Sequence, residues 1–279
     1  MTTPAGVAAH YGRRDLLERL REAVAAAGLS WEHLSPEELA PLDQLHTRGR
    51  EATLELARLA GVTAGQTVLD VGGGLGGPAR TLAAAVGCQV TVVDLTPELC
   101  DAGEELTRRT GLSDQVRFQV GDALALPFPD RAFDLVWTEH SSMNIPDKPR
   151  LYAEIRRVIR PGGRLALHEI TGGPGGPVTF PLPWASRAEL SFLLPEPELR
   201  ARIRESGLHE RFWQDLTAPS LAWVESRLAA AAARPDGAPL FGLQVLLGPG
   251  TAAAVSNLRD GLAQQRLRVV GAVFDAGAD

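Results

Sequence analysis

Val68-Leu69-Asp70-Val71-Gly72-Gly73-Gly74-Leu75-Gly76-Gly77 decides the fold of this 279-residue chain. Val68, Leu69 and Val71 are apolar and partly β-branched, as in a strand covered on both faces. Pro78-Ala79-Arg80-Thr81-Leu82-Ala83 resumes with helical spacing, and Pro78 suits a first helical turn. Between them, Gly72, Gly74 and Gly76 carry no Cβ and tolerate positive φ, so an extended small molecule can lie against the main chain. An ordinary strand-to-helix turn without a ligand is the plain alternative.

Two ligand readings of the loop are open at this point. Gly72, Gly74 and Gly77 satisfy the G-x-G-x-x-G dinucleotide pattern, which is weak alone. Asp70 favours a cation instead. A pyrophosphate beside its carboxylate would cost about 4 kcal/mol at 4 Å and an effective dielectric of 20. S-adenosylmethionine carries a sulfonium and an ammonium and no phosphate, and fits Asp-x-Gly-x-Gly-x-Gly better.

Strands and acids recur downstream. Gln89 to Asp94 reads as a second buried strand ending in an acid placed to bind ribose hydroxyls. Val116 to Ala123 is a third, whose Asp122 can accept adenine amino hydrogens or act as a turn acid. A fourth, Phe133 to Thr138, runs into Glu139-His140-Ser141-Ser142-Met143-Asn144, and a helix over Pro149–Ile159 is expected to stop at Arg160-Pro161-Gly162-Gly163. Arg164 to Ile170 follows as the fifth strand. This alternation predicts a doubly wound, mostly parallel α/β sheet with its ligand crevice at the carboxyl ends of the strands.

Taken together, LDVGGGLGGPAR, VVDLTP, GDALALPFPD, FDLVWTEH, MNIPDK and RPGG make residues 46–170 resemble the class I S-adenosylmethionine-dependent methyltransferases, in their small-molecule branch. The similarity is to enzymes acting on ubiquinone and menaquinone precursors, sarcosine or dimethylglycine, tocopherols and bacterial secondary metabolites. It implies a seven-stranded Rossmann-like sheet whose last strand, expected over Leu267–Phe274, runs antiparallel. It also implies that Asp70, Gly72, Gly74 and Gly76 line the methionyl part of the cofactor, that Asp94 and Leu95 meet the ribose end, and that Asp122 and Ala123 meet the adenine, with Glu139 a further cofactor contact. S-adenosylhomocysteine would be the product. A non-catalytic S-adenosylmethionine-binding protein is an alternative, and an NAD(P)-dependent oxidoreductase a weaker one, since no catalytic Tyr-x-x-x-Lys follows.

Three regions are expected to build the acceptor pocket. Residues 1–45 form an N-terminal helical lid, with an amphipathic helix over Asp15–Ala27, another starting at Ser35-Pro36-Glu37-Glu38, and Tyr11 available to close on substrate. Residues 46–279 form the cofactor-binding domain, and His46 at its start is a pocket candidate. The loop after the fourth strand offers His140 as base, Asn144 as an acceptor-positioning amide and Met143 as a wall. A glycine-rich arm within residues 171–200 ends in Trp184 as a pocket wall, with Glu169 at its root available to a cationic amine. Helices in a 217–266 insertion precede the last strand.

Composition narrows the class. With 44% hydrophobic residues the chain can bury a large core, and a net charge of −6 gives no electrostatic reason to expect nucleic acid. Lys148 is the single lysine, a mark of arginine-rich, GC-rich bacterial composition. Cys88 and Cys100 show no metal spacing, so structural thiols and no metal are expected. No stretch approaches the roughly 20 apolar residues of a membrane span. The expectation is a cytoplasmic enzyme, monomer or homodimer, methylating a small-molecule acceptor.

Overall fold

The computed structural model describes residues 15–235 and 241–278. Tyr11 therefore lies outside the described residues. In chain order the helices and strands are α1 (Leu16–Ala26), α2 (Pro36–Asp43), α3 (Gly49–Ala60), β1 (Thr67–Val71), α4 (Gly77–Val86), β2 (Gln89–Asp94), α5 (Pro97–Arg109), β3 (Val116–Val120), β4 (Phe133–Glu139), α6 (Lys148–Val158) and β5 (Ile159–Gly172). Then come α7 (Glu196–Glu205), β6 (Leu208–Asp215), α8 (Thr217–Ala232), α9 (Leu243–Leu247), α10 (Thr251–Ala263) and β7 (Leu267–Ala276).

The seven strands form one sheet in the order β3-β2-β1-β4-β5-β7-β6. β1 through β5 pair in parallel, and β7 runs antiparallel to both β5 and β6. Successive residues of β1 serve opposite faces, as strand pleating requires. Leu69 and Val71 join Val136, Leu151, Ile155 and Ile203 in the core on one side. Val68 joins Val90, Val92, Trp137, Leu56 and Leu82 on the other. Both faces are thus covered by helices, which explains the near-continuous apolar runs in these strands.

The N-terminal helices are welded to this body. α2 begins with a capping box in which the Glu38 N–H donates to Ser35 Oγ at 3.2 Å and the Ser35 N–H donates to Glu38 Oε2 at 2.8 Å. Leu16, Leu20, Leu39 and Leu42 pack with Leu99 and Leu106 of α5 and with Val245 and Leu246 of α9. Arg80, fully buried at the start of α4, donates to Asp43 Oδ2 at 2.7 Å, to the Gly103 carbonyl at 3.1 Å and to Thr107 Oγ1 at 2.9 Å. It joins the end of α2 to the helix after β2.

The start of β5 and the end of β3 differ from expectation. Arg160-Pro161-Gly162-Gly163 belongs to β5, which starts at Ile159, paired with Phe133 across a register shift. A Cβ at Gly163 would lie 2.8 Å from the Asp134 carbonyl oxygen, so glycine lets this irregular strand start press against β4. The third strand ends at Val120, and Gly121-Asp122-Ala123 turn off it into the cleft. Among the described residues no helix is long and apolar enough to cross a membrane.

Candidate active site

The strand order reverses between β1 and β4, and a cleft opens there at the carboxyl ends of the strands, as doubly wound sheets dictate. One end is built by the glycine loop. Asp70 lines it although only 1% exposed, and burial, with Glu139 and Asp94 nearby, pushes its carboxyl well above the ordinary range. At the end of β2, Asp94 is fixed by two backbone donors, the Gly74 N–H at 3.0 Å and the Thr96 N–H at 2.9 Å. Burial raises its carboxyl too, against those hydrogen bonds. Asp122 accepts from the Leu124 N–H at 2.8 Å, and Leu95, Leu99 and Ala123 line the cleft beside it.

The glycines divide by task. Gly72 has φ +71°, and a Cβ there would stand 2.5 Å from Ser141 Cβ, so it lets the loops after β1 and β4 touch. Gly74 lines the cleft through its backbone. Gly76 does not line it: its missing Cβ makes room for Phe118, which would lie 2.5 Å away. Packing between the glycine loop and β3 accounts for that position.

The other end is rich in imidazole. His140 sits just past β4 with φ +49°, a strained backbone for a residue with a Cβ. Its N–H donates to the His168 carbonyl at 2.8 Å, and its Nε2 lies 3.4 Å from Thr47 Oγ1. Burial, reinforced by His46, holds its pKa well below the usual range and keeps the ring neutral. His46 lines the same wall with its ring centre 6.0 Å from that of His140. Glu139 Oε2 accepts from the Trp137 indole and from Thr53 Oγ1, each at 2.9 Å, leaving Oε1 3.4 Å from His46 Nε2.

Four expected pocket residues are placed otherwise. Glu169 is fully buried, accepting from Thr138 Oγ1 at 2.8 Å and from the N–H groups of Ser141 and Ser142 at 3.3 and 3.2 Å, so its carboxylate is closed to an amine. Met143 and Trp184 are 2% exposed and lie in the core under the arm with Leu182, Leu190 and Val224, not on the cleft. Asn144 does line the cleft, but its amide nitrogen donates to the carbonyls of Trp184 at 2.8 Å and Leu190 at 3.3 Å. It ties the arm down, and Leu190 and Phe192 of that arm, with Ile145 and Pro146, form the apolar wall.

Sequence reasoning missed Lys148 and His168. Lys148 Nζ is buried and donates to the carbonyls of Ser142 at 2.8 Å, Phe192 at 2.9 Å and Ile145, locking the loop after β4 to the arm. Burial pushes its pKa down to about 8, with Glu169 acting in the opposite sense. Its singularity in an arginine-rich chain was the available signal. His168 faces Glu139 across the β4–β5 register, and only strand pairing reveals that.

This sheet order, with its glycine loop, the acid at the end of β2 and the strand-end cleft, is that of the class I S-adenosylmethionine-dependent methyltransferase fold. Residues 69–167 match the family model described as "Methyltransferase domain", and that part of the chain is such a domain. The chain is 38% identical over 129 residues to methyltransferase GfsG of Streptomyces halstedii, covering 46% of this chain and 46% of that protein. It is 30% identical over 191 residues to the 27-O-demethylrifamycin SV methyltransferase of Amycolatopsis mediterranei, covering 65% of this chain and 66% of the relative. The match thus spans less than half the length of the first relative. In fold it is similar to the solved structure of the [4+2]-cyclase SpnF, with a TM-score of 0.72 at 23% identity over 96% of this chain and 95% of that one.

Proposed function

We propose that the chain transfers the methyl group of S-adenosylmethionine to a hydroxyl of a small, largely apolar molecule and releases S-adenosylhomocysteine. The observation that carries this reading is His140, held by a positive-φ backbone on the cleft wall with its Nε2 3.4 Å from Thr47 Oγ1. In this reading Asp70 and the backbone of Gly72 and Gly74 face the methionyl group, Asp94 the ribose, and Asp122 with Ala123 the adenine. The end of α2 and the segment after it supply Asp43, Leu45 and His46 to the wall, which supports a covering role for the N-terminal helices.

The displacement is in line. An acceptor oxygen attacks the methyl carbon, the carbon–sulfur bond breaks, and the hydroxyl proton passes to His140. The sulfonium is already electrophilic, so alignment and exclusion of water by the apolar wall supply much of the acceleration. Glu169, sealed by its own hydrogen bonds, offers no carboxylate to a cationic amine. A bacterial, cytoplasmic setting belongs to the same reading; one lysine among 28 lysine and arginine side chains supports its bacterial part.

The test is methyl transfer from labelled S-adenosylmethionine to panels of phenols, hydroxylated macrocycles and amines. Label on hydroxyls is expected, and His140→Ala should lower turnover about 10²–10⁴-fold with little change in S-adenosylhomocysteine affinity. Label on amines alone would overturn the acceptor class, and equal losses of turnover and affinity would move His140 to the cofactor.

A further inference from the structure

We propose that His46, Glu139 and His168 form a binding site for a divalent transition-metal cation whose remaining coordination positions open toward the cleft. The three residues come from the segment before α3, the end of β4 and the middle of β5. One ligand atom from each lies within 4.8 Å of the others. His46 Nε2 is 3.4 Å and His168 Nδ1 3.8 Å from Glu139 Oε1. A zinc ion bound by nitrogen and oxygen at about 2.0–2.2 Å holds tetrahedral ligands roughly 3.4 Å apart, so small side-chain shifts complete the set.

The independent observation is hydrogen-bond accounting. Glu139 Oε1 and both ring nitrogens of His168 are buried without a hydrogen-bond partner, although buried polar atoms are nearly always paired. The side chains concerned are at most 2% exposed. A cation between them satisfies the carboxylate oxygen and one nitrogen of His168. Trp137 and Thr53 orient the second oxygen of Glu139, the arrangement that fixes a metal-ligating carboxylate. His46 Nε2 also donates to the Gly49 carbonyl at 3.0 Å and lies 3.3 Å from Thr53 Oγ1, so binding a cation requires the tautomer with its proton on Nδ1. Gly49 opens α3, so its carbonyl retains its helical partner when the imidazole turns to the cation.

Two imidazoles and one carboxylate suit zinc, iron(II), cobalt(II) or manganese(II) rather than the all-oxygen preference of magnesium and calcium. His46 and Glu139 line the cleft while His168 lies behind it. Free positions of the cation therefore point toward the acceptor wall, where water or an acceptor oxygen can occupy them. That last role rests on the proposed methyl transfer; the binding itself does not.

The experiment uses the full chain, stripped with a chelator and titrated with cobalt(II) by equilibrium dialysis and visible absorption. One cobalt per chain is expected, with d–d bands of a low-coordinate site that zinc displaces. His168→Ala and Glu139→Gln should each weaken cobalt binding at least tenfold. S-adenosylhomocysteine affinity, measured on the metal-free protein, separates the two proposals: its loss would count against the cofactor reading and leave the cation site standing. Less than stoichiometric cobalt on the wild type, or the same spectrum in His168→Ala, would overturn the site. Because the wild-type titration decides alone, a variant that fails to fold leaves the inference testable.

Discussion

Asp70 carries the sharpest electrostatic expectation. Its carboxyl is raised by burial and by Glu139 and Asp94, so the free protein keeps a proton there to higher pH than an unperturbed aspartate would. A cationic ligand beside it favours the carboxylate, so binding S-adenosylmethionine should release a proton. Affinity should then weaken as pH falls through the raised pKa, and Asp70→Asn should flatten that dependence. Calorimetry in buffers of different ionisation enthalpy reads the proton directly. Gly72→Ala should cost about 1–3 kcal/mol through its positive φ and push the Ser141 loop away, lowering ligand affinity as well as melting temperature. That Asp70 and Asp94 would line the cleft was legible because an acid closing an apolar strand is conspicuous in one dimension. Glu169 has the same signature and was misassigned, because sequence does not say whether a strand-end carboxylate faces the cleft or the N–H groups of a neighbouring loop.

The loop after β4 and the arm after β5 are coupled through three links, Lys148, Asn144 and the Phe192 N–H on the Met143 carbonyl at 2.7 Å. Lys148→Met removes the donor shared by three carbonyls, one buried and two half-buried. A loss on the order of 3 kcal/mol is expected, with acceptor KM rising while S-adenosylhomocysteine affinity holds; denaturant melts and steady-state kinetics check both. Ser35→Ala, which removes the acceptor of the α2 capping box, should cost about 1 kcal/mol without touching the cleft. Periodicity and caps revealed most helices and strands. It could not reveal α9, whose five residues are too few for a period, nor the start of β5, where glycine and proline look like a break but permit close approach to β4.

Strand order brings the acids at the ends of β1, β2 and β4 to one rim, so a ligand in that cleft would tie the three strands together. S-adenosylmethionine at a hundred times its Kd should add about 2.7 kcal/mol, a rise of several degrees in melting temperature at about 2–4 °C per kcal/mol for a chain of this size. NAD should give none; a shift with NAD in place of S-adenosylmethionine would refute the cofactor assignment. The alternation of strands and helices made the fold legible over residues 46–170, whereas the long-range packing of α1 and α2 on α5 and α9 is visible only in three dimensions. Lys148 has a practical side. It is the only lysine of the chain, and its amine is sealed beneath the cleft wall. An acylating reagent has no other side-chain amine to modify, so its rate of attachment to Lys148 becomes a clock for how often the arm lifts, slowing whenever an occupant keeps the cleft shut.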